Sequence, residues 1–203
     1  MRFPGATHPV LGFQHQDEAE RFLAELRERL AKFGLELHPE KTRLIEFGRY
    51  ATERRKKRGE GKPETFSFLG FTHICGTSHK TGYFTVKRKT MGRRLAAKLK
   101  DIKAKLRARL HGGIGDTVKW LQAVVRGYFQ YHAIPDNEEQ LKAFRYAILR
   151  LWLQQLRRRS PRSRWTWAHF LETLGAQLPE VQILHPYPNE RFDARIRGRN
   201  RVR

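Results

Sequence analysis

Cysteine is nearly absent from this chain of 203 residues, which contains a single one, Cys75. One cysteine excludes an internal disulfide framework and any zinc site built from several thiolates. Long apolar runs are missing too, because no stretch approaches the roughly 18 to 20 residues that span a bilayer. The N-terminal residues 1–5 also lack the apolar segment of a signal peptide. We therefore expect a cytoplasmic protein that contacts no membrane.

Acidic residues are scarce relative to basic ones. The chain has 20 Asp and Glu against 42 Lys and Arg, which gives a formal net charge of +22 and a pI near 10.9. Such a balance predicts a polyanionic partner. Hydrophobic residues make up 39% and aromatic residues 11%, so the chain can still bury a core and is not a disordered basic tail.

Motifs that carry chemistry are also lacking. No two aspartates are adjacent and no glycine-rich phosphate loop is present, whereas two-metal phosphoryl chemistry needs carboxylates close enough to share cations. His73, Cys75 and His79 have metal-ligating side chains, but three ligands within one strand and turn do not predict a metal site. Cys75 lies in an apolar strand, where a small buried side chain is its usual role. We predict no catalytic residue, no metal site and no cofactor.

The first part of the chain predicts one helix and a small sheet. Apolar residues at helical spacing predict an amphipathic helix that Asp17 caps and Gly34 ends. The run of five basic residues within residues 50–62 favours a loop. Residues 65–74 are rich in aromatic and β-branched side chains and predict a strand that forms a hairpin with residues 83–86.

Three successive amphipathic helices are predicted after Val86. The first has one apolar stripe from Met91 to Leu110, with cationic residues on its other faces. Asp116 is the expected cap of the second helix, and Asn137-Glu138-Glu139-Gln140 has the capping-box pattern that opens the third. A short fourth helix is expected over residues 166–174. Together with the sheet, these elements predict an α+β fold that ends in a helical bundle.

Positive charge is concentrated in the second half of the chain. From Lys87 to Leu110 there are eleven basic residues and one acidic residue, Asp101. A merely solvated helix face usually carries both signs, so we interpret this helix as a phosphate-contacting face. The predicted nucleic-acid-binding residues of this half of the chain are Lys87, Arg88, Arg93, Arg94, Lys98, Lys105, Arg109, Arg157 and Arg158.

Aromatic residues on the second helix allow two interpretations. Trp120, Tyr128, Phe129 and Tyr131 could stack on bases, but their helical spacing favours packing in the core. Two further tryptophans, Trp165 and Trp167, are interpreted as packing residues.

Several segments together resemble the bacterial group II intron reverse transcriptase/maturases. Residues 10–13 look like the stretch after the family's catalytic turn, and residues 34–42 are similar to its sixth conserved block. Residues 66–71 look like the seventh block, and residues 126–132 resemble the maturase-specific, or X, region that serves as the polymerase thumb. Residues 183–192 resemble the ending of members that lack an endonuclease. The shared order and spacing of these blocks carry the resemblance, which covers nearly the whole chain.

The resemblance implies a division of the chain and a partner. Residues 1–86 would be a palm remnant, residues 87–174 an α-helical thumb, and residues 175–203 an extended basic tail. Lys41, in the sixth block, would lie near the primer-template or the incoming nucleotide. The thumb would grip an RNA-containing duplex or the intron RNA. The family's Asp-Asp turn falls on residues 5–8, where neither aspartate is present.

Without these aspartates the Mg²⁺ ions of the intact polymerase cannot be positioned, so we expect no nucleotide addition by this chain alone. Two alternatives remain open beside an RNA-binding fragment. The chain could be the C-terminal half of a split reverse transcriptase, with another chain supplying the fingers and palm. It could also be a generic cationic protein that coats nucleic acid.

A palm remnant that lacks its partner strands predicts an open sheet edge. Phe66, Phe68 and Phe71 would then be exposed. The helical residues 87–174 would form the better-protected part of the chain.

Overall fold

The chain has an α+β fold, with six α-helices and one three-stranded antiparallel sheet in the part that the structure describes. The structure is a computed structural model that describes residues 9–78, 82–160 and 163–187. The predicted fold class is confirmed. The sheet order is β1-β2-β3, and a single 3-10 turn, Gly175–Gln177, follows the last helix. The strands are β1 (Phe66–Phe68), β2 (Phe71–Thr77) and β3 (Phe84–Thr90). The helices are α1 (Gln16–Ala31), α2 (Ala51–Lys57), α3 (Gly92–Ala108), α4 (Ile114–His132), α5 (Glu138–Arg158) and α6 (Trp167–Thr173).

The described chain divides into two compact units. The first unit comprises residues 9–68 and 74–86, and the second comprises residues 69–73 and 87–187. One boundary between the units follows residue 86, and residues 69–73 belong to the second unit. Within the described ranges, no helix is both long enough and apolar enough to cross a bilayer.

Helix α1 of the first unit ends as the sequence predicts. Gly34 has φ 66°, the left-handed conformation that a helix stop requires. The Leu35 N–H donates to the Leu30 carbonyl at 3.0 Å, and the Gly34 N–H donates to the Ala31 carbonyl at 3.0 Å. These two bonds form a Schellman motif, which satisfies carbonyls that the end of a helix would otherwise leave unpaired.

Helix α2 replaces a predicted loop. Glu53 and Lys57, one turn apart, form an ion pair with an Oε1–Nζ distance of 2.9 Å, and the hydrogen bond from Lys57 lowers the pKa of Glu53. Arg58, just beyond the helix, donates from Nε to Oε1 of Glu60 at 2.6 Å. Nearby carboxylates reduce the repulsion among the five basic residues of this segment. Residues 51–57 can therefore form a helix.

The predicted N-caps differ from those in the structure. Helices α1 and α4 begin earlier than expected, so Asp17 and Asp116 lie in their first turns, where a carboxylate still suits the positive end of the helix dipole. Asn137 precedes α5, but its side chain makes no capping bond to that helix. Thr166 does cap α6, because its Oγ1 accepts from the His169 N–H at 3.2 Å.

A two-residue turn at Leu69 and Gly70 separates β1 from β2, so the single strand predicted over residues 65–74 is wrong. The two residues have φ 46° and 83°, and a type I′ turn needs positive φ at both central positions. The Tyr131 hydroxyl donates to the Leu69 carbonyl at 2.6 Å, and the Met91 N–H donates to the Gly70 carbonyl at 3.1 Å. Leucine is a poor signal for such a turn, and contacts from distant residues hold it there.

Strand β3 continues to Thr90, four residues beyond its predicted end. Lys87 and Arg88 therefore lie on this strand, which corrects their predicted position on the basic helix. Alternation of apolar and polar residues stops at Val86, so the pattern of the sequence ends before the strand does.

The hydrophobic core of the described chain lies in the second unit, where α3 and α4 both pack against α5. Ile102 and Leu106 of the predicted apolar stripe are 0% and 2% exposed. Phe170 of α6 meets Trp152 of α5 edge to face, with ring centroids 5.2 Å apart. Other members of this core are Leu121, Val125, Leu141, Phe144, Ile148 and Leu156.

Aromatic side chains of α4 take several environments. Tyr128 and Phe129 are buried, as their spacing favours, and Trp120 is half-buried. Tyr131 is 48% exposed and stacks on Phe71 with ring centroids 5.6 Å apart. Phe71 is consequently 8% exposed, so its predicted exposure is wrong.

The other two phenylalanines of the predicted open edge, Phe66 and Phe68, are half-buried. Phe66 meets Phe47 nearly edge to face in the first unit, with ring centroids 5.0 Å apart. The exposed aromatic edge expected from the sequence is therefore largely covered.

Candidate nucleic-acid interface

Helix α3 carries its positive charge in two rows, one on each side of the apolar stripe. Positions three, four or seven residues apart share one face of a helix. The Arg93 row consists of Arg93, Lys100, Lys103 and Arg107. The Arg94 row consists of Arg94, Lys98, Lys105 and Arg109. The cationic residues that flank the predicted apolar stripe thus form two faces that point in different directions.

Cations of the Arg94 row are engaged within the protein. Lys105 forms an ion pair with Asp101, with an Nζ–Oδ2 distance of 2.9 Å. The Arg109 guanidinium lies 4.5 Å from the centroid of the Trp120 ring, a cation–π contact. Lys98 is half-buried. The Asp101 carboxylate therefore competes with phosphate for Lys105, and the cation–π contact holds Arg109 beside Trp120.

Arg94 and Arg88 also contact the body of the second unit. A Cβ atom on Gly70 would lie 3.0 Å from Nη1 of Arg94, so the glycine lets this guanidinium approach the turn. Arg88 is half-buried, and burial lowers the pKa of its guanidinium, although the Asp136 carboxylate opposes that effect. Burial therefore limits the freedom of Arg88 to reach a ligand, whereas Arg94 remains exposed beside the turn.

Two members of the Arg93 row, Lys100 and Lys103, line an open groove of about 1040 Å³ between α3, α5 and α6. Five cationic side chains line it: Lys100, Lys103, Arg150, Arg157 and Arg158. Among the residues that the structure describes, none of the five has a carboxylate partner within ion-pair distance. Their charge therefore remains available to an anion, and two helices hold it in place.

Aromatic and apolar side chains complete the groove. Tyr146 precedes Arg150 by one helical turn, and its ring centroid lies 5.8 Å from the guanidinium carbon of that arginine. Trp167, the first residue of α6, meets Tyr146 nearly edge to face, with ring centroids 5.7 Å apart. Arg157 donates from Nε to the Trp165 carbonyl at 2.9 Å, which orients its guanidinium. The groove therefore combines fixed cations with an aromatic wall.

The structure brings two of the ten predicted binding residues, Arg157 and Arg158, into this groove. Arg93 is exposed at the start of α3, on the same helix face as Lys100. Lys41 belongs to the first unit, where it is exposed and its N–H donates to the His38 carbonyl at 3.1 Å. The remaining six do not line the groove. They are Lys87 and Arg88 on strand β3 and the four cations of the Arg94 row.

Five charged or aromatic groove residues were not among the predicted sites: Lys100, Lys103, Tyr146, Arg150 and Trp167. A count of basic residues along the chain does not divide a helix into faces, so Lys100 and Lys103 were not separated from their neighbours. A helical projection of α3 contains that signal. Arg150 and Tyr146 have no such signal, because they become groove residues only through the packing of α3 and α6 beside α5.

Cys75 has the environment of a structural thiol. It is half-buried in β2, and the Gly48 N–H donates to its Sγ at 3.3 Å. Burial raises the pKa of the thiol, which disfavours the nucleophilic thiolate. His79, the third residue of the metal hypothesis, lies outside the described residues, as do the positions 5–8 of the catalytic turn and the basic tail from residue 188 onward.

Carboxylate geometry offers no fit to the Mg²⁺ ions that the resemblance implies. In the described ranges, no group of three or more His, Cys, Asp or Glu side chains lies close enough to hold a metal ion. At the positions expected for the aspartates the sequence has Thr7 and His8.

No protein-family model, curated protein or solved structure matches this chain. The groove of the second unit is therefore the main structural guide to function.

Proposed function

We propose that this chain is an RNA-binding protein related to the bacterial group II intron maturases, and that it binds RNA phosphates in the groove of the second unit. One observation supports this function above all. Five cations on two packed helices line a single groove, with no carboxylate partner in the described part of the chain. Such an array neutralises several phosphates at once and releases their counterions.

Resemblance to the maturases supports RNA as the polyanion. Residues 126–132, which resemble the X region, lie on α4 in the same unit as the groove. Nucleotide addition is not part of the proposal, because Thr7 and His8 cannot replace a pair of carboxylates in holding Mg²⁺.

A salt series tests the groove by neutralising four of its cations. The groove variant replaces exposed or half-buried cations of α3 and α5 by glutamine: Lys100→Gln, Lys103→Gln, Arg150→Gln and Arg157→Gln. If each cation contacts one phosphate, the slope of log affinity against log salt should fall by roughly three units. RNA affinity would be measured by fluorescence anisotropy between about 50 and 200 mM salt.

A matched control removes the same charge from the first unit. It replaces four exposed cations for which the structure shows no ion pair in its described ranges: Arg27→Gln, Arg29→Gln, Lys32→Gln and Arg49→Gln. This control should change the slope by less than about one unit, because only bound phosphates contribute to it. Equal losses in both variants would mean a diffuse electrostatic attraction, and an unchanged slope in the groove variant would refute the proposed interface.

A further inference from the structure

Two aromatic side chains lie among the cations of the groove, and one of them is largely exposed. Tyr146 is 52% exposed, although it lies on a helix whose opposite face is in the core. Trp167 is half-buried, and its ring centroid lies 6.0 Å from that of the buried Phe170. Because Trp167 also packs edge to face against Tyr146, it connects the exposed ring to the core. The Tyr146 ring is therefore both accessible and braced.

One cation lies over this ring, and others line the same groove. Arg150 lies over Tyr146, with its guanidinium carbon 5.8 Å from the ring centroid. Lys100, Lys103 and Arg157 line the same groove. A base that stacks on the tyrosine would bring its own phosphate among these charges. The groove thus contains both components of a single-strand site, a stacking surface and a cationic path for the backbone.

Duplex RNA could use only part of this arrangement. In a duplex, each base covers the faces of its neighbours, and the major groove of A-form RNA is too deep and narrow for side chains to read. A duplex would contact the cations and leave the aromatic ring without a partner. An unpaired base has a free face that can stack on tyrosine, and this stacking tolerates any sequence.

We propose that the groove binds single-stranded RNA, with one base stacked on Tyr146 and the adjoining phosphates held by the lysines and arginines around it. This inference rests on the proposed function and specifies the form of RNA that the groove takes. It also assigns a role in binding to Tyr146, a residue on the exposed surface of α5.

Substitution of Tyr146 tests the stacking directly in the full-length protein. Tyr146→Leu keeps an apolar side chain but removes the aromatic face, and Tyr146→Trp keeps that face. Tyr50→Leu is the matched control, because Tyr50 is 57% exposed and belongs to the first unit. The probes are a short oligouridylate, an RNA duplex of the same length, and inorganic polyphosphate, which is a polyanion without bases.

Stacking predicts a selective loss. Tyr146→Leu should weaken oligouridylate binding roughly tenfold while leaving the affinities for duplex and polyphosphate within about twofold. Tyr146→Trp should retain the affinity for oligouridylate, and Tyr50→Leu should change none of the three. Thermal unfolding followed by circular dichroism should show every variant to be folded at the assay temperature, so that a loss of binding is not a loss of structure.

Failure of stacking and failure of the groove give different results. If Tyr146→Leu leaves oligouridylate binding unchanged, or weakens polyphosphate binding equally, the stacking role is wrong, while a reduced salt slope in the groove variant still upholds phosphate binding there. If the groove variant keeps its full slope for every RNA probe, the groove is not the binding site and both proposals are refuted.

Discussion

Asn137 shows how one buried polar side chain joins separate elements of the second unit. Its Oδ1 accepts from the Thr90 N–H at 2.8 Å, and its Nδ2 donates to Thr90 Oγ1 and to the His132 carbonyl, each at 2.8 Å. The side chain is 0% exposed. It therefore connects the end of β3 to the turn between α4 and α5, a role different from the capping box that its sequence pattern predicts.

Replacing Asn137 should be costly for stability. Asn137→Ala leaves the Thr90 N–H and the His132 carbonyl buried without this partner, so we expect the free energy of unfolding to fall by about 3 kcal/mol. Urea unfolding followed by circular dichroism measures the change. Gln140→Ala is the control, because a capping box would need the Gln140 side chain. It should change stability by less than about 0.5 kcal/mol, and a larger loss would restore the capping-box interpretation.

Helix α3 contributes both to the hydrophobic core and to the groove. Its apolar stripe packs on α5, and this packing brings Lys100 and Lys103 of the Arg93 row to the groove. The Arg94 row is engaged with Asp101 and Trp120. Docking of the helix thus decides which of its cations are free to bind, although all of them contribute equally to the net charge.

Truncation along the stripe should affect stability according to burial. Ile102 is 0% exposed, so Ile102→Ala should lower the free energy of unfolding by about 3 kcal/mol through the lost contacts and the cavity left behind. Leu95 lies on the same stripe but is half-buried, and Leu95→Ala should cost about half as much. Chemical unfolding of both variants provides the comparison. Equal losses would indicate that α3 is not docked through its central residues.

Apolar burial differs between the two units of the molecule. Within the described residues, only Ala19 and Ala51 are buried apolar side chains of the first unit, whereas the second unit contains the whole core cluster. In the first unit Phe33 is 72% exposed and Leu35 is 48% exposed. The second unit consequently has most of the hydrophobic stabilisation.

Hydrogen exchange should reveal this difference across the molecule. Amides in the middle of α4 and α5 should exchange at least roughly tenfold more slowly than those of α1, because they open only when the core opens. Exchange of the intact chain followed by mass spectrometry of peptides gives the two rates. Equal protection of α1 and α5 would contradict a core confined to the second unit.

Periodicity and composition allowed much of the fold to be predicted. Helices α1, α3, α4 and α5 follow from apolar residues repeated at helical spacing, because each of these helices buries one face. The end of α1 at Gly34 follows from the conformational freedom of glycine. The net charge of +22 indicated a polyanionic partner before any geometry was known.

Tertiary structure alone decided the features that depend on distant residues. Leu69 takes a left-handed conformation in a turn whose carbonyl accepts from the Tyr131 hydroxyl, a contact between residues far apart in the chain. Lys100 and Arg150 share a groove only because α3 packs on α5, which no local pattern of charge encodes. The sequence by itself determined that this protein is strongly cationic and largely helical. Packing of the helices decided which cations face an open groove, because burial and pairing depend on what each side chain contacts in space.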